Sequence, residues 1–128
     1  MTLNEGLESI GNWCFRDSPI KEINIPSTVT SIGRWCFTNT SITKVVIPKS
    51  VKKLENNTFN DCKNLTSVTL PEGLKSIGNK CFDDTAITQL MIPKSVTYIG
   101  NRIVPPNTII SRPADYHPEG VLTGDFVQ

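Results

Sequence analysis

Residues 72–93 read EGLKSIGNKCFDDTAITQLMIP, and close copies of this stretch run along almost the whole chain. Residues 27–48 read STVTSIGRWCFTNTSITKVVIP, residues 49–71 form a copy that is one residue longer, and residues 5–26 form the first copy. Residues 94–104 open a fifth copy that then departs from the pattern. A period of 22 or 23 residues is typical of solenoids, in which each repeat forms one coil.

The end of each copy has the alternating pattern of a β-strand. In residues 44–47 the apolar Val45 and Ile47 alternate with Lys44 and Val46, which is the period of a strand with one buried face. A proline follows, and it ends the strand because proline has no backbone N–H to donate. Equivalent strands are expected at residues 22–25, 67–70 and 89–92.

The middle of each copy predicts a bend, a helical turn and a polar corner. Gly33 follows an apolar pair, at a point where glycine makes a sharp bend least costly. Ile32 and Cys36 are four residues apart, which fits one helical turn that directs its Cys and Phe inward. We interpret the corner residues as Asx turns that bond their own backbone, rather than as a calcium ladder, because only one carboxylate per coil recurs. These corner residues are Asp17, Asn39, Asp61 and Asp84.

Stacking of such coils would bury a column of Leu, Ile, Val and Phe and pair the strands in parallel, at about 4.8 Å per strand. The sequence therefore predicts a repeat solenoid, a short curved array. Its parallel strands would lie on the concave face, with single-turn helical or irregular segments on the convex face. We expect the array to occupy residues 1–113, as four full repeats and a partial fifth in which residues 108–111 add a strand. Residues 114–128 would form a C-terminal cap or linker tail.

The combination of Pro, Ile-Gly and Cys-Phe at fixed spacing resembles the leucine-rich repeats of the BspA-like class, over residues 2–104. This class occurs in surface proteins of host-associated bacteria and of parasitic protists. The third copy departs from it, with Glu55 in place of the glycine and Thr58 in place of the cysteine. The ordinary leucine-rich repeat has an asparagine that ladders in the turn after the strand. Here a proline stands early in that turn, and we expect no asparagine column.

The resemblance implies a role in adhesion or in binding other proteins, a cell-surface or secreted location, and no enzyme activity. Free cysteines would equally suit an intracellular protein. We expect a protein-binding module that is part of a larger surface, adhesion or scaffold protein. Two alternatives stay open: a structural spacer that positions another domain, and a carbohydrate-binding solenoid. Exposed apolar area on the concave face would favour binding, and a uniformly polar face would favour a spacer.

The composition excludes several other partners. The chain has 13 basic and 12 acidic residues and a formal net charge of +1, so no long-range field attracts nucleic acid or an anionic membrane. No apolar run approaches the roughly 18 residues that a membrane span requires. The sequence therefore predicts neither nucleic-acid binding nor membrane insertion.

The cysteines do not predict a metal site. Cys14, Cys36 and Cys81 share one column of the repeat, with Thr58 between the second and third. No CxxC pair occurs, and the single His117 lies far along the chain, whereas zinc ligands cluster at short spacing. We expect no metal and no cofactor, and we expect these three cysteines to be buried free thiols.

Two further expectations concern thiol chemistry. Cys14 and Cys36 lie on neighbouring coils, so a disulfide between them stays open as an alternative. Cys62 belongs to the corner column instead, and we expect it to be the most accessible thiol.

The outward positions of the predicted strands are the candidate partner-binding residues. Val46 and Met91 are expected to be exposed apolar side chains among polar ones. Glu22 is the only carboxylate in these positions, whereas a glycosidase needs two carboxylates that face one cleft, so no catalytic residue is expected. The first column is Glu22, Lys44, Ser67 and Gln89, and the second is Asn24, Val46, Thr69 and Met91.

Two other surfaces are candidates for contact. Trp13 and Trp35 directly precede the column cysteines, and we expect them to stack on one another at the convex surface, as a cover of the bend or as a contact. The N-terminal coil is expected to leave an apolar edge open, so that the chain self-associates there or the parent protein has further repeats upstream. That edge comprises Leu3, Leu7, Ile10 and Phe15. At the other end Ile109 and Ile110, together with Val121, Leu122 and Phe126, are expected to fold over the last coil.

Overall fold

The computed structural model describes residues 3–113 and 122–123. Over these residues the chain is a parallel β-solenoid of about five turns without a helix. The predicted solenoid is therefore confirmed, with the strands joined by irregular hydrogen-bonded turns. In chain order the strands are β1 (Ser9–Ile10), β2 (Ser31–Ile32), β3 (Lys44–Val46), β4 (Lys53–Leu54), β5 (Ser67–Thr69), β6 (Ser76–Ile77), β7 (Gln89–Met91), β8 (Tyr98–Ile99), β9 (Ile109–Ser111) and β10 (Leu122–Thr123).

The longer strands are those that the alternating pattern predicts. β3 pairs in parallel with β5, and β7 pairs in parallel with β9. β9 lies within residues 108–111, as predicted. In the first predicted strand, residues 22–25, only the backbone of Asn24 forms a bridge. We call the outward side of these strands the long-strand face; it is the face that the sequence predicts to be concave.

The short strands form a second set that the sequence did not predict. β1 pairs with β2, and β4, β6, β8 and β10 form one four-stranded parallel sheet. We call the outward side of this set the short-strand face. β1, β2, β4, β6 and β8 each have one exposed or half-exposed residue followed by a buried one, a pattern too short to detect in the sequence. β10 lies within the predicted tail, whose other residues, Val121 and Phe126 among them, lie outside the described residues.

The core is a set of columns that run from coil to coil. Phe15, Phe37, Phe59 and Phe82 stack in succession, with ring centroids 5.3, 5.2 and 5.5 Å apart. The last three rings are fully buried. Each coil covers one face of its neighbour's ring, so the core is built between repeats, as predicted.

Two positions in most coils adopt a left-handed backbone. At the corner, Asp17 and Asn39 have φ of 63° and 57°, a conformation that Asp and Asn tolerate better than most residues. The Nδ2 of Asn39 donates to the Oδ1 of Asp17 in the preceding coil at 2.9 Å, a bond between coils that the Asx-turn interpretation did not include. The second position directly precedes the cysteine, where Trp13 and Trp35 have φ of 64° and 60°. Nothing in the sequence indicates this conformation, which costs an L-residue about 1–2 kcal/mol.

The column glycines are required by close approach between coils, so the interpretation of Gly33 as a bend is wrong. Its φ is not positive. A Cβ at Gly33 would lie 2.4 Å from the backbone nitrogen of Asn12 and 2.5 Å from its Oδ1, and real Cβ atoms do not approach so closely. Gly78 and Gly100 meet the preceding coil in the same way.

The oxygen that approaches these glycines belongs to an asparagine ladder. Asn12 Oδ1 accepts the backbone N–H of Arg34 at 2.8 Å, and Asn56 Oδ1 accepts that of Asn79 at 2.8 Å. Asn79 in turn accepts from Asn101 at 2.8 Å. The expectation that the chain has no asparagine column is therefore wrong. The column lies in the turn after the short strands, not in the turn after the long strands where the ordinary repeat has it.

Candidate functional site

The long-strand face brings the predicted partner-binding residues together in regular order. Lys44 lies opposite Ser67 and Val46 opposite Thr69 across the β3–β5 pair. The β7–β9 pair places Gln89 opposite Ile109 and Met91 opposite Ser111. The two predicted columns are therefore present in these coils, and the structure extends each by one residue of β9.

Three large apolar side chains on this face are exposed. The exposed fraction is 62% for Val46, 53% for Met91 and 65% for Ile109. The prediction that Val46 and Met91 are exposed is confirmed. Ile109 was expected to cover the last coil, and this is wrong, because its side chain points outward on β9 and is exposed. It was missed among the candidate contact residues, although the apolar pair before Pro113 could have indicated it. The neighbours Val45 and Leu90 point inward and are buried, which holds the backbone of the face in place.

Two shallow grooves lie on the long-strand face. One has a volume of about 400 Å³, between the coils that carry Asn24 and Val46. The other is about 300 Å³ and is bordered by Gln89 and Met91. Thr69 is the only predicted partner-binding residue that lines neither groove. Glu22 and Lys44 are the only charged groups among the eight predicted residues, so this face is nearly neutral.

The tryptophan pair stacks as predicted. The ring centroids of Trp13 and Trp35 are 5.1 Å apart and the rings are parallel within 2°. The guanidinium carbon of Arg16 lies 4.8 Å from the centroid of Trp13, a cation–π contact. Trp13 is exposed and Trp35 is half-buried. Since Arg16 lies over the Trp13 ring, this pair offers less free aromatic surface than the sequence indicates.

The four cysteines are free thiols, but two of the predicted exposures are wrong. Cys14 is exposed, because among the described residues only the coil of Cys36 packs against its own coil. Cys62, predicted to be the most accessible thiol, is fully buried. Its Sγ lies 2.9 Å from the carbonyl oxygen of Phe37, to which it donates, and 3.4 Å from the hydroxyl of Thr40.

Burial controls the ionisation of the inner thiols. It raises the pKa of Cys36 to about 12, with a further contribution from the adjacent Cys14. Burial also raises the pKa of Cys62 and of Cys81. These three thiols are therefore protonated at neutral pH and do not act as nucleophiles.

Among the described residues there is neither a metal-binding cluster nor a membrane-spanning helix. No three of their His, Cys, Asp or Glu side chains come together in a way that could hold a metal ion. Over the same residues there is no helix with the length and apolar character of a membrane span.

The comparisons with known proteins agree with this fold. The family model described as BspA type leucine rich repeat region (6 copies) matches residues 1–105. No curated protein sequence matches the chain. Among solved structures, a leucine-rich repeat protein from Bacteroides ovatus superposes with a TM-score of 0.84 at 21% identity. That match covers 98% of this chain and 33% of the other.

A second solved structure gives the same result. A leucine rich cell surface protein from Faecalibacterium prausnitzii superposes with a TM-score of 0.83 at 21% identity, over 100% of this chain and 35% of that one. The chain thus spans about a third of the length of each structural relative. At this identity the likeness shows the fold alone.

Proposed function

Because this chain belongs to the BspA-type leucine-rich repeat family, a family of repeat proteins rather than enzymes, we propose that it binds a protein partner through its long-strand face and has no catalytic role. One observation carries the proposal. Val46, Met91 and Ile109 are all more than half exposed on a regular face whose other side chains are mostly small and polar. Apolar side chains that share one exposed face favour an interaction surface over a spacer.

The character of the face fits a protein partner. The centres of protein interfaces are depleted of charged residues and enriched in large apolar side chains such as Met. Val46 and Met91 belong to the same column two coils apart, which corresponds to about 9.6 Å at about 4.8 Å per strand. Such spacing suits two anchoring side chains of one partner segment. Because the strands are fixed from beneath, little conformational entropy is lost when a partner binds.

We further propose that this module acts in adhesion, within a surface or scaffold protein. One structural relative is itself named as a cell surface protein, and this name supports the proposal. Trp13 and Trp35 would add a secondary contact. The rival function, a spacer that positions another domain, has no need of exposed apolar groups on the long strands.

Exchange of the anchors tests the proposed function. A partner would be captured with the full chain, purified, and titrated against the wild type and a Lys44→Ala, Val46→Ser, Met91→Ser triple variant. We expect the triple variant to lose at least a factor of about 100 in affinity, equivalent to about 2.7 kcal/mol, while its circular dichroism spectrum is unchanged. A matched control with Thr30→Ala, Lys75→Ala and Thr97→Ser, away from this face, should bind normally. Unchanged affinity of the triple variant would exclude the long-strand face.

A further inference from the structure

A polar groove of about 350 Å³ crosses the short-strand face, away from the long strands. Sequence reasoning missed it, because its floor depends on the glycines that were interpreted as bends. Its lining differs from that of the long-strand face in having an aromatic ring and several charged groups. The residues that line it are Arg34, Lys53, Leu54, Glu55, Asn56, Ser76, Gly78 and Tyr98.

The groove arises from a difference in residue size between neighbouring coils. Lys53, Ser76 and Tyr98 lie side by side in register on β4, β6 and β8. Ser76 is small, so a gap remains between Lys53 and Tyr98, whose backbones are about 9.6 Å apart at about 4.8 Å per strand. Gly78 continues this low floor, and Glu55 raises the wall because it occupies a position that is glycine in the other coils.

Polar groups in the groove have unused hydrogen-bonding capacity. Within the described part of the chain, the hydroxyls of Ser76 and Tyr98 have no hydrogen-bond partner. Asn56 uses its Oδ1 to accept the N–H of Asn79, which leaves its side-chain N–H groups for another acceptor. Ser76 and Asn56 are half-buried, and polar groups in such positions are normally satisfied by water or by a ligand.

The ring of Tyr98 supplies the apolar element of the groove. It is 41% exposed and presents a flat apolar surface beside a polar hydroxyl. An aromatic surface next to convergent donors and acceptors matches a pyranose, which has an apolar C–H face and a rim of hydroxyls.

The charges of the lining residues indicate that the sugar has a negative charge. The Nζ of Lys53 lies 3.7 Å from the Oε2 of Glu55, and the two form an ion pair. Because this pair neutralises Lys53, the remaining positive charge among the described lining residues is that of Arg34. A guanidinium pairs with a carboxylate through two parallel hydrogen bonds. We propose that this groove binds a short oligosaccharide of hexuronates, with one sugar ring on Tyr98 and the carboxylate of a ring farther along the saccharide on Arg34, because the two residues lie three coils apart, about 14 Å at about 4.8 Å per strand.

The groove is suited to binding and not to hydrolysis. Among the described residues that line the groove, Glu55 is the only carboxylate, whereas glycoside hydrolysis requires a pair. The saccharide would therefore be released without being hydrolysed. The groove shares no lining residue with the two grooves of the long-strand face.

Titration of the folded chain with α-1,4-linked galacturonate trimer, followed by NMR and calorimetry, tests this proposal. We expect saturable binding at least tenfold tighter than that of the neutral galactose trimer with the same linkage. Tyr98→Ala should abolish binding and Tyr98→Phe should retain it. Arg34→Gln should remove the preference for the uronate.

Lys21→Ala, an exposed residue outside both proposed binding surfaces, is the matched control and should bind the trimer as the wild type does. Its loss of binding would place the saccharide elsewhere and overturn the assignment. The assignment would also be overturned by absence of binding, by a preference for the neutral trimer, or by normal binding of a folded Tyr98→Ala variant.

Discussion

The side-chain oxygen of Asn56 accepts the backbone N–H of Asn79 at 2.8 Å and thereby joins the third coil to the fourth. The same bond recurs from Asn79 to Asn101. It requires the carbonyl-bearing side chain to reach across the stack, which is feasible only because Gly78 lacks a Cβ. Gly78 and Asn56 of the preceding coil are therefore one device for holding coils together.

Removal of one asparagine of the ladder should destabilise the array. Asn56→Ala leaves the N–H of Asn79 without its acceptor, at an expected cost of about 1–2 kcal/mol. Asn56→Asp keeps an acceptor oxygen in place, so its free energy of unfolding should fall much less. Urea unfolding measures both, and equal stability of Asn56→Ala and the wild type would contradict the role of the ladder.

Two glycines of the same column should respond in opposite ways to alanine. A Cβ at Gly78 would lie 2.6 Å from both the backbone nitrogen and the Oδ1 of Asn56, so Gly78→Ala should cost about 1–3 kcal/mol, as overpacking does. Nothing lies within 4 Å of a Cβ at Gly11, and its φ is not positive. Gly11→Ala should therefore be neutral, or stabilising by up to about 1 kcal/mol. The measurement is the midpoint temperature of thermal unfolding. Equal changes of this temperature in the two variants would contradict the prediction.

Thiol labelling of the native protein should modify Cys14 first. It is the exposed cysteine, whereas Cys36, Cys62 and Cys81 are buried and should react only on unfolding. Mass spectrometry after timed alkylation gives the order, and Cys14→Ser should remove the fast phase. A fast phase that persists in this variant would show that an inner thiol is accessible.

Stability should fall at alkaline pH. Burial raises the pKa of Cys36 from 9.0 to about 12, so above pH 9 the unfolded chain releases a proton that the folded protein retains. The stabilisation is complete below pH 9 and is lost as the pH rises from 9 toward 12, by at most about 1.4 kcal/mol per pH unit for this thiol.

The matched variant for this effect is Cys36→Thr, because Thr58 occupies the same position in the next coil. The hydroxyl of Thr58 donates to the carbonyl oxygen of Glu55 at 2.9 Å. Urea midpoints at about pH 8 and about pH 10.5 should differ less in the variant than in the wild type. Equal losses would show that Cys36 makes no contribution to the alkaline transition.

The first coil should support self-association. Among the described strands β1 pairs on one side only, and Leu3, Leu7 and Phe15 are only partly buried, although Ile10 is buried. Light scattering over a dilution series should show an average mass that rises with concentration. Leu7→Glu should reduce this rise more than the control variant Thr30→Glu does. A strict monomer would exclude this surface.

Much of the long-strand face could be predicted from the sequence, because alternation along a strand sets the direction of each side chain. This alternation alone predicts that Val46 and Met91 are exposed. The groove beside Tyr98 could not be predicted, because it depends on the difference in size between Ser76 and its neighbours in the coils above and below.

The sequence by itself determined the solenoid, its coil length and its phenylalanine core, because a regular period gives each coil the same buried positions. Only the tertiary structure decided which members of a column are equivalent. Cys14 and Cys36 occupy one column, yet the first is exposed and the second buried, because burial in a solenoid depends on having a coil on both sides. The asparagine ladder was likewise decided by contact between coils, since Gly33 and Asn12 meet across the stack and are 21 residues apart in the chain.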